Sequence, residues 1–154
     1  MSAIPEPGMA WQQERRWLGY AGLIPFLACL AVMLLAQDPQ WRVVASDTLR
    51  HYAAVIASFL GAVHWGVTGD NRPGLQHARL RWGVMPALLA WTLLALPARF
   101  AFAGFAVLFG LILVVDRYLL PVLDDRYRRL RLPLTGVVVL VLVVAVFAVP
   151  VEAA

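Results

Sequence analysis

Residues 17–36 read Trp17-Leu-Gly-Tyr-Ala-Gly-Leu-Ile-Pro-Phe-Leu-Ala-Cys-Leu-Ala-Val-Met-Leu-Leu-Ala36 and contain no charged side chain. As a helix rising 1.5 Å per residue, such a block reaches about 30 Å, the thickness of a bilayer's hydrocarbon core. The rest of the chain repeats the pattern. Of 154 residues, 62% are hydrophobic and 14% charged, and the mean hydropathy is +0.75. A soluble domain carries about a quarter charged residues, interspersed rather than swept into gaps between apolar blocks. The composition therefore predicts an all-α integral membrane bundle, forming a single transmembrane domain over residues 17–150.

Five helices are expected, at about 17–36, 51–68, 82–96, 100–115 and 132–149. Residues 1–16, with Pro5, Pro7, Gly8 and the pair Arg15-Arg16, read as a flexible cytoplasmic tail. Gln37 to Arg50 and Gly69 to Arg81 read as polar connections, and Pro97-Ala98-Arg99 as a tight turn. Residues 116–131 read as an arginine-rich amphipathic cytoplasmic loop suited to anionic headgroups, and Pro150 stops the last helix. The third and fourth helices are short on this reading, roughly 22–24 Å. They either cross twice or form a re-entrant hairpin, and Arg99 at the tip favours crossing because a lone guanidinium in hydrocarbon is costly. Arg15-Arg16 before an apolar stretch also invites a leader-peptide reading. Leu34 sits where a cleavage site wants a small residue, and the downstream sequence is itself membrane-like, so residues 17–36 are expected to stay as the first helix.

Orientation follows from the arginines, which supply all thirteen basic residues. Arg15, Arg16, Arg72, Arg79, Arg81, Arg117, Arg126, Arg128, Arg129 and Arg131 fall on one side of the expected topology; Arg42, Arg50 and Arg99 fall on the other. The richer side is cytoplasmic by the positive-inside rule, which puts the N-terminus in the cytoplasm and the C-terminus in the periplasm. Trp17, Trp65, Trp82, Tyr118 and Tyr127 lie near the cytoplasmic boundaries, and Trp41, Tyr52 and Trp91 towards the outer ones.

The second helix is the most informative. Ala54, Ser58, Ala62 and Gly66 recur every four residues, with Ala57 and Gly61 beside them, a small-residue surface that lets a neighbouring helix approach closely. Packing within the bundle is preferred to a homodimer seam, and the helix is expected to be central. His64 lies in its last turns, where an ionisable side chain at membrane depth points to function. The alternative is a neutral imidazole bonded to a helix carbonyl, with Trp65 as an interfacial anchor. The topology gathers His64, Trp65, Trp82, Asp116, Arg117 and Arg131 at one leaflet. Such a cluster either binds a polar headgroup or simply pairs Asp116 with an arginine across the bundle end.

Other chemistries are disfavoured. Cys29 stands alone inside an apolar block and reads as a packing residue. His51 and His64 are about 20 Å apart along one helix and cannot ligate one haem iron, so no cofactor or metal is expected. Neither a nucleophile–base arrangement nor a phosphate loop is visible, so no enzyme activity is expected. The sequence pI near 10.0 is matched by lipid headgroups rather than nucleic acid, since no recognition motif accompanies the charge. Pro25 and Pro86 lie inside expected helices, where they tend to kink the chain.

Four stretches carry a family resemblance: Leu18-Gly-Tyr-Ala-Gly-Leu-Ile-Pro-Phe26, Ser58-Phe-Leu-Gly-Ala-Val-His-Trp-Gly66, Trp82-Gly-Val-Met-Pro-Ala-Leu-Leu-Ala-Trp91 and Tyr127-Arg-Arg-Leu-Arg-Leu-Pro-Leu-Thr135. On these the chain resembles the bacterial branch of the domain of unknown function 3429 family, which includes the mitochondrial transmembrane protein 69. Ala62 stands where the pattern has a second Gly, and Ala87 where it has Ser, which argues against an essential hydroxyl there. The resemblance implies a multi-pass protein of the bacterial inner membrane or its mitochondrial descendant, and implies no activity. Three functional readings stay open. The first is a non-enzymatic structural or assembly factor for another membrane complex. The second is a lipid- or quinone-binding protein using the cluster around His64. The third is a small proton-coupled carrier, for which the midspan polar residues Ser58, Thr92 and Cys29 are sparse.

Overall fold

The computed structural model describes residues 17, 19–66, 73–119 and 125–149. Five helices are found among them: α1, Ile24–Leu35; α2, Pro39–Ala62; α3, Pro73–Leu94; α4, Ala98–Leu119; and α5, Asp125–Ala148, with a 3-10 turn, Val63–Trp65, closing α2. No strand occurs among the described residues. The expected tail, residues 1–16, lies outside them.

The number of helices matches expectation and their ends do not. Residues 37–50 are not a connection: α2 begins at Pro39, and Asp38 caps it by accepting a hydrogen bond from the Gln40 amide at 2.8 Å. Polar side chains did not break this helix, because Asp47, Arg50 and His51 satisfy one another along one face at helical spacing. At its other end α2 stops at Ala62, before the expected Thr68, which lies outside the described residues. The expected 82–96 and 100–115 segments are parts of longer helices of 22 residues each, about 33 Å at the α-helical rise. Shortness therefore no longer argues for a re-entrant hairpin. The 116–131 segment contributes its first residues to α4 and its last to α5, with residues 120–124 outside the description. Residues 17 and 19–21 are also helical, and a turn at Gly22-Leu23 separates them from α1, whose first turn holds Pro25; the missing N–H of Pro25 interrupts the first helix there, as expected.

Two helices are long and apolar enough to cross a membrane by themselves, α4 and the Arg131–Ala148 part of α5; the apolar Gly19–Leu35 stretch is shorter. α2 and α3 carry their charged residues in their first halves (Arg42, Asp47 and Arg50; Arg79 and Arg81), which lowers their hydropathy.

Each helix packs on its neighbours in sequence, α1 also touches α5, and α2 meets α4 across the middle. α2 and α4 thus share the centre. Phe26 stacks edge-on against Tyr52 and Phe109, with centroids 5.0 and 6.2 Å away. Phe102, Phe105, Phe109 and Ile112 fill the core from α4, and Val138, Leu142 and Ala145 meet them from α5. Many large apolar and aromatic side chains are exposed, including Trp91, Phe100, Val107, Leu140 and Phe147. A bundle surface of this kind suits lipid rather than water.

Candidate functional site

The polar groups collect at the two ends of the bundle. At one end Arg50 of α2 donates to the Leu96 carbonyl in the α3–α4 turn at 3.2 Å, and Arg42 donates to the Met33 carbonyl of α1 at 2.8 Å. Both satisfy carbonyls that a helix end leaves without an intrahelical donor. Tyr52 donates to the Gly22 carbonyl at 3.0 Å and fixes the turn before α1 in the same way.

The other end holds the candidate site. Its geometry starts from the approach of α2 to α3 at Gly61. A Cβ at that position would stand 2.7 Å from the Gly83 carbonyl oxygen and 3.1 Å from Pro86 Cγ, so only glycine permits this separation. The indole of Trp65 lies over Gly83, where a Cβ would collide with it, and its Nε1 donates to the Leu80 carbonyl at 3.3 Å. The 3-10 turn then carries His64 inward, to 2% exposure, while Trp65 and Gly66 stay exposed.

His64 Nδ1 lies 3.1 Å from the Gly61 carbonyl oxygen, and Nε2 lies 3.2 Å from Asp116 Oδ1. The second carboxylate oxygen, Oδ2, is 2.5 Å from Arg131 Nη2. Three helix ends are thus joined: that of α2 through His64, α4 through Asp116 and α5 through Arg131. The two contacts to Asp116 are at ion-pair distance but off the hydrogen-bond line, and the buried Nε2, Oδ1 and Oδ2 have no hydrogen-bond partner among the described residues. A fourth group ties in α3: Arg79, 3% exposed, donates from Nε to the Leu119 carbonyl at 2.6 Å, one turn beyond Asp116 on α4.

Of the six residues expected to gather here, the structure joins His64, Asp116 and Arg131. Trp65 sits on the α2–α3 seam, half exposed. Trp82 packs against the core, and its buried Nε1 has no hydrogen-bond partner among the described residues. Arg117 is exposed beside the cluster and makes no contact with it in the described structure. Arg79 was not expected. The signal for it was present: Arg79, Gly83, Pro86 and Ala90 recur at helical spacing and are all buried.

The small-residue seam is also turned from its expected register. Ala54 and Gly61 are buried and Ser58 half-buried, but Ala62 and Gly66 are exposed; the buried stripe runs through Ala53, Ala57 and Gly61. The reason is local. A four-residue repeat drifts by about 40° per step of an α-helix, which takes Ala62 off the face of Ala54, and Gly66 lies past the 3-10 turn. Ser58 donates to the Ala54 carbonyl and Thr92 to the Leu89 carbonyl, both at 2.8 Å, so each hydroxyl is returned to its own helix. No group of three or more potential metal-binding side chains occurs among the described residues.

Residues 11–147 match the family described as "Protein of unknown function (DUF3429)". The chain is also 35% identical over 131 residues to transmembrane protein 69 of Xenopus tropicalis, an alignment covering 82% of this chain and 51% of that protein. The chain thus spans about half the length of this curated relative. No solved structure matches. The chain belongs to the DUF3429 family, whose function is unknown and which is related to a transmembrane protein.

Proposed function

We propose that this DUF3429 member is a multi-pass inner-membrane protein that acts without catalysis, as a structural or assembly partner of another membrane complex. All five helices cross the bilayer, with the N-terminus cytoplasmic and the C-terminus periplasmic. The observation that carries this reading is the use made of the buried polar groups. His64, Asp116, Arg131 and Arg79 are engaged between helix ends, joining α2, α3, α4 and α5. Side chains placed in this way rigidify a bundle, while its outer surface keeps large apolar and aromatic groups for lipid or a partner helix. The orientation is supported by the sequence, in which ten arginines fall on the side expected to be cytoplasmic and Arg42, Arg50 and Arg99 on the other.

Purification in mild detergent, with identification of everything retained, tests the assembly role. A stable co-purifying membrane protein whose own complex is depleted on deletion supports it, and a complex unaffected by deletion refutes it. Topology is tested separately with Arg99→Cys and Arg117→Cys in a Cys29→Ser background. Arg99→Cys should react with an impermeant thiol reagent from outside intact cells, and Arg117→Cys only after permeabilisation. Labelling of both from one side refutes the crossing of α4.

A second reading places an anionic headgroup or quinone at the His64 end. It is supported by the exposed Trp65, Arg81, Arg117 and Tyr118 around the buried cluster, a mixture suited to the membrane interface. Native mass spectrometry should then find a retained lipid or quinone that His64→Ala releases with folding intact; retention in that variant refutes the placement. A proton-coupled carrier has less support, since Ser58 and Thr92 hydrogen-bond within their own helices.

A further inference from the structure

His64 has two buried contacts with oxygen, and a neutral imidazole carries one hydrogen for them. A backbone carbonyl is an acceptor only, so the contact with the Gly61 oxygen at 3.1 Å places a hydrogen on Nδ1. In the neutral ring Nε2 is then a bare lone pair. That nitrogen lies 3.2 Å from Asp116 Oδ1, two acceptors in contact off the hydrogen-bond line. The side chains are 0% and 8% exposed, so neither atom has water as an alternative partner. Neither group is placed to turn away: Nδ1 anchors the ring to Gly61, and Arg131 holds the other carboxylate oxygen. A hydrogen on either atom turns this contact of two acceptors into one of donor and acceptor, and neither atom has a hydrogen-bond partner among the described residues.

We propose that the His64–Asp116 pair is a proton-binding site, in which one proton buried at the end of the bundle bridges imidazole and carboxylate. It resides either on Nε2, as imidazolium beside carboxylate, or on Oδ1, as carboxylic acid donating to a neutral ring. Both forms hold the same number of protons, and binding adds one positive charge to the site. Among the described residues the charged groups facing the pair are Arg131 from α5, against Asp116, and Arg79 from α3, at the Leu119 carbonyl one turn along α4. From α2 itself the pair meets only the Gly61 carbonyl. The proton therefore completes a buried network that ties three helix ends. This assignment is independent of what the bundle assembles with, and it stands or falls on the site's own spectrum.

Solid-state NMR of the full chain, labelled with 13C and 15N in lipid bilayers, reads the site directly, with His64 assigned through Val63 and Trp65. The expected result is a hydrogen on both ring nitrogens, or a hydrogen on Nδ1 together with a protonated Asp116 carboxyl. A ring with one N–H beside an ionised Asp116 overturns the proposal, as does a bare Nδ1. Asp116→Asn supplies an amide N–H of nearly the same shape, which donates to a bare Nε2. His64 in that variant should lose the Nε2 hydrogen and keep the one on Nδ1. A variant ring that still carries both hydrogens also overturns the proposal. The wild-type spectrum decides by itself if the variant does not fold.

Discussion

Replacing Gly61 by alanine tests how α2 and α3 set up the site. The added Cβ would stand 2.7 Å from the Gly83 carbonyl oxygen, and 3.1 and 3.2 Å from Pro86 Cγ and Cδ. One neighbour is backbone and the other a ring, so neither moves aside by rotating a side chain, and the two helices must separate. Overpacking of this kind costs about 1–3 kcal/mol. Alanine returns up to about 1 kcal/mol of helix propensity. The balance is a loss of about 1–2 kcal/mol. Gly110, within α4, has nothing within 4 Å of the position its Cβ would take, so Gly110→Ala should gain about 0.5–1 kcal/mol from propensity alone. Reversible unfolding of both variants in mixed micelles, monitored by helical circular dichroism, should separate them by about 2 kcal/mol. The reasoning is refuted if Gly61→Ala proves as stable as Gly110→Ala.

Removing the shared carboxylate, as Asp116→Ala, should destabilise the bundle by about 3–5 kcal/mol, because His64 and Arg131 stay buried without it. Arg117→Ala, next along the chain but exposed, should unfold like the wild type in the same assay, and equal losses in the two would show that the pair is not engaged. Gly83→Ala should drive the Trp65 indole off its seat and away from the Leu80 carbonyl. The indole N–H resonance of Trp65 should then shift while that of the exposed Trp91 stays in place; an unmoved Trp65 signal would contradict the seam described above.

The helix count could be read from the charge-free blocks, but the helix ends could not be read from hydropathy alone. The start of α2 was written in a different signal: Asp38-Pro39 pairs a capping side chain with a proline at the first helical position. α3 also begins at a proline, Pro73. Giving polarity precedence over capping assigned both stretches to loops and made α3 appear short. The same choice hid Arg79. Counted as a loop charge, it looked like a headgroup contact; placed inside α3, it falls on the stripe with Gly83 and Pro86 that packs inward.

The site itself depended on a detail that the spacing of small residues could not reveal, a change of helix type at Val63. Even within an α-helix a four-residue repeat drifts by about 40° per step, which already takes Ala62 off the face of Ala54. In a 3-10 turn, three residues complete a revolution and side chains at i and i+3 eclipse one another. His64 is the third residue after Gly61, so the tighter winding sets it over the residue that faces α3. It also brings Nδ1 within 3.1 Å of the Gly61 carbonyl oxygen. Nε2 then points across the bundle to α4, where Asp116 waits one turn before Leu119. Gly61 therefore has two linked tasks. Its missing side chain brings α3 close, and its carbonyl determines which nitrogen of His64 must carry a hydrogen. A substitution there should disturb helix packing and the hydrogen count of the buried pair together, which a histidine held only by lipid contacts would not do.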